Sequence, residues 1–87
     1  MKTPKEIQRE LSERERRLRK KQKMTLQQLA DASGVSLGSV KRFESSGEIS
    51  LQSMIKIAIA LGCEDDFSAI FAKNIPMSIE EIINGEI

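Results

Sequence analysis

The sequence predicts an all-α fold, a compact domain of five helices followed by a short extra helix at the C-terminal end. Two observations predict it. Apolar residues recur three and four positions apart along most of the 87-residue chain, a spacing that places them on one face of a helix. Serine or threonine residues precede these segments and glycine follows several of them, and these residue types begin and end helices. A single domain of this size has a marginal core, so dimerisation would add useful burial.

The first predicted helix runs from Thr3 to about Lys21. Thr3 can cap its amino end, and Pro4 fits the first helical position because that position needs no amide hydrogen. The pattern predicts an amphipathic helix whose apolar stripe is thin, consisting of Ile7, Leu11 and Leu18.

The stretch from Thr25 to Glu44 predicts two short helices joined by a tight turn. Thr25 and Gln28 have the spacing of a capping box at the start of the first helix. Gly34 can adopt a positive φ and end that helix, and Ser36 can cap the second. The residues expected to point inward are Leu26, Leu29, Ala30, Val35, Val40 and Phe43. This is the pattern of a helix-turn-helix, although an ordinary helical hairpin with a glycine turn is the alternative.

After this motif, the small residues of segment 45–49 predict a loop with exposed backbone amides. Ser50 can cap the next helix, which extends from Leu51 to about Leu61 and ends at Gly62. Its apolar residues are so frequent that we expect it to be buried on most sides.

The fifth predicted helix is short and runs from about Glu64 or Asp65 to Phe71. Acidic residues in its first turn suit the positive end of the helix dipole. Its aromatic and aliphatic residues are expected to close the bottom of the domain, and they are Phe67, Ile70 and Phe71.

The extra C-terminal helix is predicted within residues 73–87. Ser78 and Glu81 make a second capping box, and Gly85 can stop the helix. Its apolar residues are Ile79, Ile82 and Ile83. A helix of two turns is not stable alone in water, so it can dock on its own domain, meet a second subunit or bind another protein. From the sequence we favour a subunit or partner interface.

From Leu11 to Phe71 the sequence resembles the phage-repressor-like (Cro/C1, or XRE) helix-turn-helix transcriptional regulators. The resemblance rests on the apolar and small positions of the motif at residues 25–44. It implies a five-helix domain within residues 1–72 that binds double-stranded DNA. The helix at residues 36–45 would enter the major groove, while the helix before it crosses the phosphate backbone.

The resemblance assigns base-reading positions to the exposed face of that second helix. These candidates are Leu37, Gly38, Lys41 and Arg42. Related proteins often carry glutamine where this chain has Leu26 and Leu37. A leucine can touch a thymine methyl but donates no hydrogen bond, so polar readout must depend on Arg42, which suits guanine, with help from its neighbours.

Phosphate contacts are expected from polar residues around the motif. These candidates are Lys23, Thr25, Gln27, Ser36, Ser39, Ser45 and Ser46. The net charge of +1 conceals an uneven distribution, because residues 1–23 carry ten Lys or Arg against four Glu, and residues 48–87 carry two against seven Asp or Glu. The basic third can therefore approach phosphates, although a solvated helix face explains part of it equally well.

The resemblance also implies a structural ion pair between Arg19, late in the first helix, and Glu44, at the end of the recognition helix. Glu15 departs from the family pattern, because relatives usually have an apolar residue there. Either the first helix is slightly rotated, or Glu15 extends toward an arginine.

The residue inventory argues against several other functions. Histidine is absent and Cys63 is the only cysteine, so the sequence offers no intrachain disulfide, zinc finger or Cys/His catalytic pair. We expect no enzyme activity, no metal and no cofactor. No apolar stretch approaches the length of a membrane span, and a cytoplasmic location is the simple interpretation.

The function that the sequence favours is a sequence-specific transcriptional regulator. Of repression and activation we favour repression. Since one module makes few base contacts, we expect a homodimer on a two-fold palindrome. The alternative is an antitoxin or adaptor that binds a toxin-like partner protein through its C-terminal tail while regulating its own operon.

Overall fold

The computed structural model describes residues 1–74, and every regular element in this range is helical. Four α-helices come first and two short 3₁₀ helices follow: α1 Pro4–Lys21, α2 Leu26–Ser33, α3 Leu37–Ser46, α4 Leu51–Leu61, then Glu64–Ala69 and Ala72–Asn74. The predicted all-α fold is confirmed. The predicted C-terminal helix falls within residues 75–87 and lies outside the described residues.

The helix-turn-helix begins and turns at the residues that the sequence indicated. At the start of α2, the Gln28 amide donates to the Thr25 hydroxyl oxygen at 3.0 Å, and the Thr25 amide donates to the Gln28 side-chain oxygen at 2.8 Å. Gly34 ends α2 with a φ of 76°, which glycine adopts without steric cost. Ser36 accepts a hydrogen bond from the Ser39 amide and caps α3. Local signals therefore fix both helix starts.

The core lies where α2, α3 and α4 meet. Its largest fully buried side chains are Phe43, Leu29, Ile57 and Val40. Five of the six residues of the motif that were expected to point inward are buried, which confirms most of that prediction, whereas Leu26 is only partly buried. Packing on this scale stabilises a small domain mainly through the apolar area that it removes from water.

Two expectations about α3 and α4 are wrong. Ser45 and Ser46 belong to the last turn of α3 rather than to a loop, because Gly47 with a φ of 82° provides the left-handed cap one residue later. The α4 helix is not buried on most sides, since Leu51 and Ile59 are 65% and 57% exposed. Within the described residues, α4 packs mainly against α2 and the first 3₁₀ helix, and this leaves one side open.

The fifth helix is shorter and tighter than expected. It is a 3₁₀ helix that ends at Ala69, and Ile70 continues in an extended conformation. Ile70 and Phe71 are 51% and 76% exposed, so the prediction that they close the bottom of the domain is wrong. The helix ends before Ile70, and Phe71 has a φ of 66°, so the chain turns before these side chains can reach the core. Only Phe67 of the three is partly buried.

Candidate nucleic-acid interface

The α3 helix presents one polar, exposed face opposite its buried one. Gly38, Lys41 and Arg42 are exposed, whereas Val40 and Phe43 on the other side belong to the core. The structure therefore brings three of the four base-reading candidates together on an accessible surface. The fourth, Leu37, is partly buried against the core, so only part of its side chain is available to a ligand.

The hydroxyl groups of the motif differ in what they can still donate. The Thr25 oxygen accepts from the Gln28 amide, and its own hydrogen is free for an anion. The Ser36 hydroxyl donates to the Ser39 oxygen at 2.9 Å, which leaves the Ser39 hydrogen free instead. Thr25 and Ser39 are therefore better placed than Ser36 to donate to a phosphate.

The end of α3 is less available than the sequence suggested. The hydroxyls of Ser45 and Ser46 donate to the Arg42 carbonyl at 3.1 and 2.7 Å. The Gly47 amide donates to the Phe43 carbonyl at 2.8 Å, and the Glu48 amide donates to the Ser46 hydroxyl at 3.2 Å. The expected exposed amides are thus already used at Gly47 and Glu48, because they complete the helix cap.

Lys23 and Gln27 lie on the surface at the start of the motif. Lys23 is exposed in the turn between α1 and α2 and has a φ of 59°. The Gln27 side-chain amide donates to the Asp31 carboxylate at 2.9 Å, so this residue already has a partner within α2. Lys23 is therefore the more accessible of the two candidates.

Two serines at the start of α4 were missed by the sequence interpretation. Ser50 and Ser53 line a cleft of about 240 Å³ together with Ser39 and Arg42. The Ser53 amide donates to the Ser50 hydroxyl oxygen at 3.1 Å. Ser50 was assigned only as a cap, but the amino end of a helix also attracts anions, and that signal was readable in the sequence.

The predicted ion pair between Arg19 and Glu44 is present and buried. The Arg19 Nε and Nη2 atoms donate to the two Glu44 carboxylate oxygens at 2.7 and 2.9 Å. The third nitrogen, Nη1, donates to the Met24 carbonyl at 2.8 Å. Hydrogen bonding to Glu44 keeps the pKa of Arg19 above its usual value. Although burial would raise the pKa of Glu44, the hydrogen bonds it receives, above all from Arg19, hold it below its usual value.

Two further side chains of α1 bind the carboxyl end of α3. Arg16 donates to the Glu44 carbonyl at 2.9 Å, and Gln8 donates to the Gly47 carbonyl at 3.3 Å. They satisfy carbonyls that the end of a helix leaves unpaired, and Arg16 adds a positive charge at the negative end of the dipole. Gln8 and Arg16 are eight residues apart on α1, and this helical spacing could have revealed a polar inner face.

Glu15 also lies on this inner face, but it does not pair with an arginine as one interpretation expected. It is 9% exposed, and neither carboxylate oxygen accepts a hydrogen bond, because Arg16 and Arg19 are directed to Glu44. Burial raises the pKa of Glu15 to about 8, and the neighbouring Glu44 carboxylate adds to the rise. A neutral Glu15 can donate its proton to Glu44, which explains how a buried carboxyl without a cation is tolerated.

Comparison with known proteins agrees with this geometry. The profile of the helix-turn-helix family matches residues 16–67, from the second half of α1 into the first 3₁₀ helix. The chain belongs to the Cro/C1-type helix-turn-helix family. Membership of this family means that the domain binds DNA. Searches of curated proteins and of solved structures found no match.

No helix within residues 1–74 combines the length and apolar character needed to cross a membrane. The same residues contain no group of three or more His, Cys, Asp or Glu side chains placed to bind a metal ion.

Proposed function

We propose that this helix-turn-helix protein is a sequence-specific transcriptional regulator, and a repressor, that inserts α3 into the major groove of double-stranded DNA. The observation that carries the proposal is the position of Arg42 and Lys41. Both side chains are exposed on the outer face of a helix whose inner face is core and whose carboxyl end is bonded to α1. A rigid helix with exposed basic side chains suits a groove lined by hydrogen-bond acceptors.

Sequence reading is assigned chiefly to Arg42. A guanidinium can donate two parallel hydrogen bonds to O6 and N7 of guanine, which no other base offers in the same arrangement. Lys41 and the exposed backbone of Gly38 lie on the same face, and Leu37 contributes an apolar edge suited to a thymine methyl. The protein would therefore prefer sites that contain guanine opposite the middle of α3.

Backbone positioning is assigned to groups that flank this face. Thr25 and Ser39 have free hydroxyl hydrogens, and Lys23 is exposed at the turn before α2. Ser50 and Ser53 add the amino end of α4 beside Arg42. Contacts of this kind fix the register of a protein on the duplex but carry no sequence information.

A homodimer on a two-fold palindrome follows from the size of this surface. One module offers few base contacts, and two modules in related half-sites about 34 Å apart would double them. Exposed apolar residues of α4, such as Leu51 and Ile59, support an additional subunit contact. A regulator of this kind acts where DNA is, and we assign it to the cytoplasm.

The decisive experiment is selection of bound sequences from random duplexes with the full chain. We expect enrichment of a palindrome with guanine in each half-site, and affinity that falls steeply with salt because phosphate contacts release counterions. Binding should therefore be measured at two salt concentrations. Equal affinity for all duplexes, with no enriched sequence, would exclude sequence-specific regulation while leaving non-specific DNA binding intact.

A further inference from the structure

Within residues 1–74, an open, mostly apolar groove of about 470 Å³ lies between α1, α4 and the first 3₁₀ helix, and it shares no lining residue with the cleft at Ser39 and Arg42. Its walls include Leu11 and Leu18 from α1, Met54 from α4, and Phe67. Leu11, Leu18 and Met54 are only partly buried. A small domain depends strongly on each apolar contact it can make, and an apolar groove of this size offers a surface on which a further apolar segment can pack.

The chain itself supplies a segment at the edge of this groove. Ile70 lines the groove, and the described residues end four positions later at Asn74. Thirteen residues follow, 75–87, and six of them are isoleucine or methionine. Ile79, Ile82 and Ile83 have the spacing of one apolar helix face. A segment of this composition needs an apolar partner, and the nearest one on the same chain is the groove.

The short tether favours this segment over a separate molecule. A segment joined to its site by a few residues is present at an effective concentration of roughly millimolar. A second copy or another protein would have to bind far more tightly to compete at ordinary concentrations. The tether therefore outweighs the preference for a subunit or partner interface that the sequence alone suggested.

The charges of the two partners are complementary on the α1 side. Residues 75–87 carry three Glu and no Lys or Arg, whereas Arg14 of the strongly basic α1 lies at the groove. Asp66 on the opposite wall is the unfavourable exception. Glu15, whose carboxyl has no hydrogen-bond partner within residues 1–74, also lines the groove.

We propose that residues 75–87 bind in the groove between α1, α4 and the first 3₁₀ helix of their own chain, and complete its core. The residues proposed to read DNA, such as Lys41 and Arg42, do not line this groove. Failure of this proposal would therefore leave the proposed DNA binding unaffected.

Cys63 provides a direct test, because it is the only cysteine and it lines the groove in a partly buried position. The test compares the rate of alkylation of Cys63 in the full native chain, in Ile82→Asp and in Asn84→Asp. The last variant is the matched control, since it adds the same charge without removing an isoleucine. Burial and the nearby Asp66 and Glu64 raise the pKa of the Cys63 thiol, so all rates are measured at one alkaline pH.

We expect alkylation about tenfold faster in Ile82→Asp than in the native chain, and an unchanged rate in Asn84→Asp. Circular dichroism shows whether the variants keep their helices, and the milder Ile82→Ala should shift the rate in the same direction. Equal rates in all four chains would overturn the proposal. A native rate that falls as protein concentration rises would also overturn it, because protection would then come from a second copy.

Discussion

The two ends of α3 differ in their contacts with the rest of the molecule. At the carboxyl end, three side chains of α1 donate hydrogen bonds of 2.7–3.3 Å to Glu44 and Gly47, both of which are buried. Toward the amino end, Gly38, Lys41 and Arg42 are exposed. The domain thus holds α3 by its carboxyl end, and the residues proposed to read DNA lie on the part of α3 that stays exposed.

The largest expected effect comes from breaking the fixed end. Glu44→Ala leaves Arg19 buried without its carboxylate, which should lower the free energy of unfolding by about 3–5 kcal/mol. Urea denaturation at neutral pH measures this change in the free energy of unfolding. The double variant Arg19→Met with Glu44→Leu is the control, because it leaves no unpaired charge and should be clearly more stable than Glu44→Ala. Equal stability of the two would show that the pair contributes little.

The next effect is a gain of stability at the same end. Glu15→Leu should stabilise the fold by about 1–4 kcal/mol, because it replaces a buried carboxyl that has no cation. The stability that Glu15→Leu gains over the native chain should increase as the pH rises. The pKa of Glu15 is about 8 in the folded chain against 4.5 ordinarily, so between these values only the folded state holds the proton. The native unfolding free energy then falls by about 1.4 kcal/mol per pH unit from this group.

Urea denaturation across that pH range tests the Glu15 prediction, and Glu13→Leu is its control. Glu13 is exposed on the same helix, so Glu13→Leu makes the same substitution without touching the buried carboxyl, and the native pH slope should remain. Glu44 works in the opposite direction, because its pKa is lowered and its contribution is lost only as the solution becomes acidic. A Glu15→Leu variant with the native slope would show that Glu15 is ionised throughout.

At the free end, Arg42→Ala should weaken binding to the selected operator by about 1–3 kcal/mol and relax the preference at one base pair. Arg42→Lys is the informative companion, since lysine keeps the charge but cannot make the paired hydrogen bonds to guanine. Competition between operator variants, measured by fluorescence anisotropy, separates the two roles. Uniform weakening over every sequence would instead identify Arg42 as a phosphate contact.

The smallest effects are expected from alanine in place of glycine at two positions, Gly38 toward the amino end of α3 and Gly47 at its carboxyl end. A Cβ at Gly38 meets no atom within 4 Å, and alanine there should stabilise the fold by about 0.5–1 kcal/mol while weakening DNA binding. A Cβ at Gly47 would lie 2.9 Å from the Gln8 backbone at a φ of 82°, so Gly47→Ala should destabilise. Thermal unfolding measures the stability of both variants, and the affinity for the selected operator measures their DNA binding. Unchanged affinity in Gly38→Ala would remove Gly38 from the interface.

Local sequence signals were sufficient for the helix starts and for the core of the motif. Thr25, Ser36 and Gly34 act on their nearest neighbours in the chain, and these neighbours are visible in the sequence. The Arg19–Glu44 pair joins residues 25 positions apart, and only the resemblance to a family indicated it. Exposure of the four base-reading candidates followed from the helical period, with Leu37 the exception because it also contacts the core.

What could not be predicted depends on how whole helices pack. The burial of Glu15 follows from the α1 face that docks on α3, and a composition that is charged all round does not specify that face. The exposure of Ile70 and Phe71 follows from a 3₁₀ helix that stops one residue before them. In both cases the apolar or charged character of the residue predicted the wrong burial. The length and direction of the helices around the residue decide whether its side chain is buried.

Arg19 joins three parts of the chain through one planar group, since its guanidinium reaches Glu44 on α3 and the Met24 carbonyl just before α2. A single planar side chain of α1 therefore contacts α3 and the residue that leads into α2. Lysine carries the same charge, but one ammonium cannot span two carboxylate oxygens and a carbonyl in fixed directions. Exchange of arginine for lysine, harmless at most surface positions, would here loosen the hold of α1 on both helices of the motif, and with it the proposed placement of α3 on DNA.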